Sequence, residues 1–185
     1  MYFAALLSLC SIANAHILSG FGFADGALHP LSGLDHLLAM VAVGVISVRL
    51  GGSAVWKVPA AFVAAMVFGG MLGIAGFHLP YVGIGIALSV VFSGLAILLS
   101  RKLPLNAAIA FVATAAIFHG HAHGSEMSAI ASPVLYTIGF VLSTALLHLS
   151  GVLLGMCSKK SEFSSKLLKY SGIAVSAVGF YFLIV

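Results

Sequence analysis

Residues 29–44, HPLSGLDHLLAMVAVG, place His29, Asp35 and His36 in a segment that is otherwise apolar. Ionisable groups in such a segment are costly and mark a binding site or pathway; the structural alternative is satisfied polar groups at a helix end. At about 100° per residue, His29 and His36 project within roughly 20° of one another, so a single helix over residues 29–49 carries both on one face. Gly33 falls on that stripe and leaves room for an ion or a neighbouring helix. Asp35 points about a third of a turn away. From there its carboxylate reaches His36 either as a direct ligand or as the acceptor that fixes an imidazole tautomer. Pro30 suits the first helical position, which puts His29 at the helix mouth, near a membrane surface.

The rest of the chain matches this apolar setting. Of 185 residues, 62% are hydrophobic and only 6% are charged, whereas roughly 25% are charged in a soluble domain. The composition predicts an all-α integral membrane protein of one domain. A net charge of +4, scattered along the chain, argues against a nucleic-acid partner. With Cys10 and Cys157 far apart, no disulfide framework can be drawn.

Residues 1–15, MYFAALLSLCSIANA, are short and apolar and end in the small-x-small pattern of a signal peptide, which predicts cleavage after Ala15. The mature domain is then 16–185. His16 becomes its first residue, either a disordered end or a chelating pair of free amine and imidazole. Residues 16–28 are Gly-rich and are expected to form an extracytoplasmic lead-in.

Six apolar stretches follow, at 29–49, 58–77, 81–100, 105–123, 133–157 and 168–185. Each is about long enough to cross roughly 30 Å of hydrocarbon. Gly51-Gly52, Pro59, Pro80, Pro104 and Pro133 punctuate them. All eight Lys and Arg residues fall in alternate connections, at Arg49 and Lys57, at Arg101 and Lys102, and at Lys159, Lys160, Lys166 and Lys169. The positive-inside rule makes those connections cytoplasmic and leaves the mature N-terminus and the C-terminus outside.

A second polar group lies at 118–127, FHGHAHGSEM, where His119, His123 and Glu126 follow at spacings of four and three. If the helix continues so far, these three share a face and His121 points nearly opposite. The charge pattern puts both groups at the outer level of the membrane. Together they offer up to four imidazoles and two carboxylates, a donor set suited to a borderline divalent metal such as Ni, Co or Zn. Copper(I) fits poorly, because no Cys lies near and Met40 and Met127 are too few for a thioether site. His148, deep in the fifth stretch at ALLHLSG, reads as a ligand further along the route or as a proton acceptor. His78, in a short outer turn, reads as interfacial.

The two segments HPLSGLDHLLAMVAVG and FHGHAHGSE resemble the signature segments of the HupE/UreJ family of nickel and cobalt permeases. The first matches at His29, Pro30, Gly33, Asp35, His36, Ala39, Met40 and Gly44, the second at Phe118, His119, Gly120, Ala122, His123, Gly124 and Glu126. The resemblance covers essentially the whole chain and leaves His121 without a role. The H-x5-D-H spacing is one residue longer than the H-x4-D-H of the larger nickel/cobalt transporters. The resemblance implies a multi-pass protein of the bacterial inner membrane, linked to hydrogenase or urease maturation, that moves Ni²⁺ or Co²⁺ from periplasm to cytoplasm. No permanently bound cofactor is expected; the divalent ion, with Zn²⁺ as a third option, is substrate. The chain carries no phosphate-binding loop, so the drive is the membrane potential or coupled protons. Two other classes are open to this residue set. One is a metal-dependent intramembrane hydrolase with Asp35 or Glu126 activating water; the other is a b-type haem protein.

Overall fold

The computed structural model describes residues 22–99, 103–127 and 131–185. The signal segment 1–15, His16, Cys10, Arg101 and Lys102 lie outside the described residues. Regular structure among the described residues is entirely helical: α1 (Gly22–Ser32), α2 (Leu34–Leu50), α3 (Ala54–Ile74), α4 (Val82–Leu99), α5 (Leu105–Ser125), α6 (Pro133–Ser158) and α7 (Glu162–Ile184).

Helices α3 to α7 are each long and apolar enough to cross a membrane, and α1 with α2 make one more such span, bent by 84° at its break. The expected single helix over 29–49 is therefore wrong. Gly33 interrupts it with extended backbone angles (φ −105°, ψ 124°). Pro30 sits inside the last turn of α1 instead of opening a helix, and His29 belongs to that last turn. The expected lead-in is also corrected, since residues 22–28 are already helical. Two local penalties explain the break. Pro30 withholds a backbone N–H, and three residues later glycine costs about 1 kcal/mol relative to alanine in a helix interior.

Tertiary packing completes the explanation, because α6 serves both pieces. A side chain added at Gly26 would run into the Tyr136 carbonyl, and one at Gly139 into the Phe23 carbonyl; further along, Gly44 meets the His148 carbonyl and Gly155 meets Val48. The first half of α6 thus docks α1 and the second half docks α2. Small residues similarly seat α3 on α5, through Gly69, Gly73, Gly120 and Gly124, and α4 on α7, through Gly94, Gly172 and Gly179. Such close backbone approach is how helices associate in lipid, where no hydrophobic drive separates helix from solvent.

Pro59 is a second departure: it lies in the second turn of α3, which begins earlier than expected, at Ala54. Near a helix start the loss of one backbone hydrogen bond is tolerable. The last helix likewise starts earlier than the apolar stretch, at Glu162, because Ser161 caps it by accepting from the Ser164 N–H at 3.1 Å. Large apolar side chains, among them Trp56, Phe92, Leu146, Leu153 and Phe180, cover the outside of the bundle. This is the surface of a multi-pass membrane protein. Some buried serines on these helices satisfy themselves within their own helix, as when the Ser47 hydroxyl donates to the Gly44 carbonyl at 2.7 Å.

Candidate metal site

Three helix ends converge at the break. The last turn of α1 carries His29, and the first turn of α2 carries Asp35 and His36. From across the bundle, the final two turns of α5 bring His119 and His123, and helical geometry persists through Glu126 (φ −91°, ψ −4°). His119, His123 and Glu126 therefore do share a face, as their spacing demands.

His29 Nε2 lies 3.1 Å from Glu126 Oε2. The His29 ring stands edge-on to His123 at 4.6 Å, and His123 faces His36 at 4.1 Å. His36 in turn meets His119, with the two Nδ1 atoms 2.9 Å apart. His119 Nε2 ends the series on the Ser89 hydroxyl at 2.8 Å. The result is a continuous ladder, Glu126–His29–His123–His36–His119–Ser89. Its outer rung is open, with the Glu126 side chain 60% exposed; its inner rung is closed, with His119 at 0%.

One group is already compact enough for an ion: single ligand atoms of His29, His123 and Glu126 lie within 4.8 Å of one another. Both His123 nitrogens are buried and have no hydrogen-bond partner among the described residues. A buried imidazole left unpaired is costly, and a cation supplies the missing partner. The His36–His119 pair offers a second grip. Neighbouring ligands of a six-coordinate ion with bonds of about 2.1 Å sit roughly 3.0 Å apart, close to the 2.9 Å between these nitrogens.

Asp35 stands beside the ladder. Its Oδ1 accepts from the His36 backbone N–H at 2.8 Å and lies 3.9 Å from His36 Nε2. That position favours the start of α2 electrostatically and sets a negative charge next to the His36 ring. His121 points the other way, its Nε2 donating to the Phe77 carbonyl at 2.7 Å, so it ties α5 to the loop before α4. His78 is exposed in that loop.

His148 lies apart from the ladder. It is buried on α6, with neither nitrogen partnered among the described residues, and it lines a cavity of about 520 Å³ bordered by Val55, Pro59, Val63 and Val152. The Phe62 ring lies between the two regions, 6.0 Å from His119 and 5.0 Å from His148.

Sequence reasoning missed four shapers of the site: Ser89, Phe62, Tyr136 and Phe140. The Tyr136 hydroxyl donates to the His123 carbonyl at 3.3 Å, and the Phe140 ring packs on His123 at 4.3 Å. Only Ser89 carried a signal, as a hydroxyl amid the apolar run VGIGIALSVVFSGLAILL.

No solved structure matches the chain. A curated relative, "Protein HupE" of Rhizobium leguminosarum bv. viciae, is 44% identical over 177 residues, covering 95% of this chain and 92% of its own length. The family described as "HupE / UreJ protein" matches residues 4–182, a span that takes in α1, the break at Gly33 and every rung of the ladder. By both measures the chain belongs to the HupE/UreJ family.

Proposed function

We propose that this protein is a secondary transporter that takes up Ni²⁺ or Co²⁺ from the periplasm and delivers it to the cytoplasm. The observation that carries this reading is the ladder of four imidazoles running from an exposed carboxylate to a fully buried ring. Glu126 and His29 collect the hydrated cation at the mouth. His123, whose nitrogens await a partner, receives it next, and His36 and His119 follow. Because neighbouring rungs lie so close, a new ligand engages before the previous one leaves, and the ion is never stripped bare in the low-dielectric interior.

Asp35 offsets the arriving charge beside His36 and faces the ring nitrogen that must take the proton when Nδ1 turns to the metal. His16, as the first residue of a chain cleaved after Ala15, offers a free amine and an imidazole that can chelate together. Beyond Phe62, His148 is the next imidazole, either a further ligand or a proton acceptor. A divalent cation moving inward gains about 4.6 kcal/mol per 100 mV of membrane potential, so no other energy source is required. The protein sits in the bacterial inner membrane, with Zn²⁺ as a third substrate and a hydrogenase or urease maturation pathway as recipient.

Purified protein in vesicles under an inside-negative potential is expected to accumulate Ni²⁺ or Co²⁺, with each ion competing against the other. Turnover of lipid or peptide without accumulation would favour a hydrolase instead. The positive-inside rule, applied to Arg49, Lys57, Lys159 and Lys160 near the α2–α3 and α6–α7 connections, supports this orientation. A C-terminal reporter active only in the cytoplasm is expected to stay silent, and activity would put the ladder's mouth on the wrong side for uptake.

Acid should weaken capture. Imidazoles bind metal only when neutral, so Ni²⁺ affinity in detergent is expected to fall once the pH is low enough to protonate them. A Ni²⁺ affinity unchanged down to the pH at which the protein unfolds would remove the imidazoles from the site.

A further inference from the structure

Ser89 lies on α4, the most apolar of the helices, yet it is buried against the innermost rung of the ladder. Its hydroxyl donates to the Ile86 carbonyl one turn back at 2.7 Å. A serine hydroxyl has a single proton. With that proton given to Ile86, the contact at 2.8 Å to His119 Nε2 can be made only if the histidine donates. His119 then carries its proton on Nε2 and presents a bare lone pair at Nδ1, the nitrogen that faces His36 Nδ1 at 2.9 Å.

We propose that Ser89 is a positioning residue that locks His119 in the Nε2–H tautomer, so that Nδ1 is held ready as an inner metal ligand. This rests on the reading of the ladder as a metal pathway. In the empty protein, His36 donates its Nδ1 proton to His119 Nδ1. When the cation arrives, both nitrogens turn to it, and the His36 proton passes to its Nε2, the side that faces Asp35. His119 needs no rearrangement, because its proton already rests on Ser89. The opposite tautomer would set a bare His119 Nε2 against a hydroxyl whose proton is already given to Ile86, and would leave His119 no lone pair at Nδ1 for the metal.

The test compares Ser89→Val with Ser89→Thr in the full-length protein in detergent, two side chains of the same shape that differ in the hydroxyl. Nitrogen-15 spectra of histidine-labelled, metal-free wild type are expected to show His119 protonated at Nε2. Ser89→Val is expected to lose that single tautomer and to bind Ni²⁺ about 10–100-fold more weakly, the usual cost of removing a ligand's outer partner, while Ser89→Thr keeps both properties. If the valine variant does not fold, Ser89→Ala takes its place. Wild-type affinity and tautomer in the variant lacking the hydroxyl would overturn the proposal. A folded Ser89→Thr that fails as badly as Ser89→Val would do so too, since shape would then be the cause. A wild-type His119 protonated at Nδ1 would sink the lock alone, whereas wild-type protein that binds neither Ni²⁺ nor Co²⁺ would sink the transport reading and the affinity effect with it.

Discussion

His36→Ala should reduce nickel accumulation to the level of cells lacking the protein, while the variant reaches the membrane in normal amount. His36 is the only rung that touches both His123 and His119, at ring distances of 4.1 and 4.7 Å. Its removal splits the ladder into an outer trio and an isolated buried ring. The loss should exceed the 10–100-fold typical of an outer-shell partner, because a ligand itself is gone. His123→Ala should do equal harm by removing the imidazole that lies within reach of both His29 and His36. Asp35→Asn keeps the shape but deletes the charge beside His36, and it too should nearly abolish uptake. His121→Ala is the control. It gives up a hydrogen bond to the Phe77 carbonyl and no rung, so uptake should stay within a few-fold of wild type. Radioactive nickel uptake at matched expression decides the matter, and wild-type transport by His36→Ala would remove the ladder as the route.

Gly120→Ala should be among the most destabilising single methyl additions at the described glycines. The added carbon would strike the Met66 carbonyl oxygen and come within 2.9 Å of the Gly70 nitrogen, both of them backbone atoms that no rotamer change can move aside. Helices α3 and α5 would have to separate along their whole contact, and overpacking of this kind costs about 1–3 kcal/mol or more. The same substitution at Gly83 meets nothing within 4 Å and lies inside α4. There alanine should be neutral or stabilising by up to about 1 kcal/mol, from helix propensity alone. Thermal unfolding in detergent separates the two. Equal melting temperatures would mean that α3 and α5 are not held by their glycines.

Much of this was legible in the chain. Apolar runs of membrane length located α3 to α7 to within a few residues, because a span must satisfy both hydrocarbon thickness and internal hydrogen bonding. The spacing of His119, His123 and Glu126 encoded a common face, and α5 provides it. What could not be read was the break at Gly33. Pro30 and Gly33 fit a helix start as well as a helix end, and the deciding partner, α6, is remote in sequence. For the same reason the joint placement of His29 and His36 was anticipated on a mistaken ground: they share a site because both reach His123 across the 84° bend between α1 and α2, not because one helix carries both. Ser89 showed only as a hydroxyl in an apolar run, and its contact with a histidine 30 positions away is made by tertiary packing. By spacing Asp35 was open to two roles, a direct ligand or an acceptor beside an imidazole; its carboxylate accepts from the α2 backbone and lies 3.9 Å from His36 Nε2.

The division of α6 between two partners also bears on the order in which the protein is made. Helix α1 has only 11 residues, too few to satisfy its own terminal backbone groups to advantage or to cross the bilayer unaided. Its seat is the first half of α6, through Gly26 and Gly139, and α6 leaves the ribosome only after α2, α3, α4 and α5 have done so. His29 therefore waits for most of the chain to be inserted before it can settle against His123 and Glu126. During biosynthesis the mouth is the last part to close, and a nascent chain halted before α6 holds the inner rungs without the outer one.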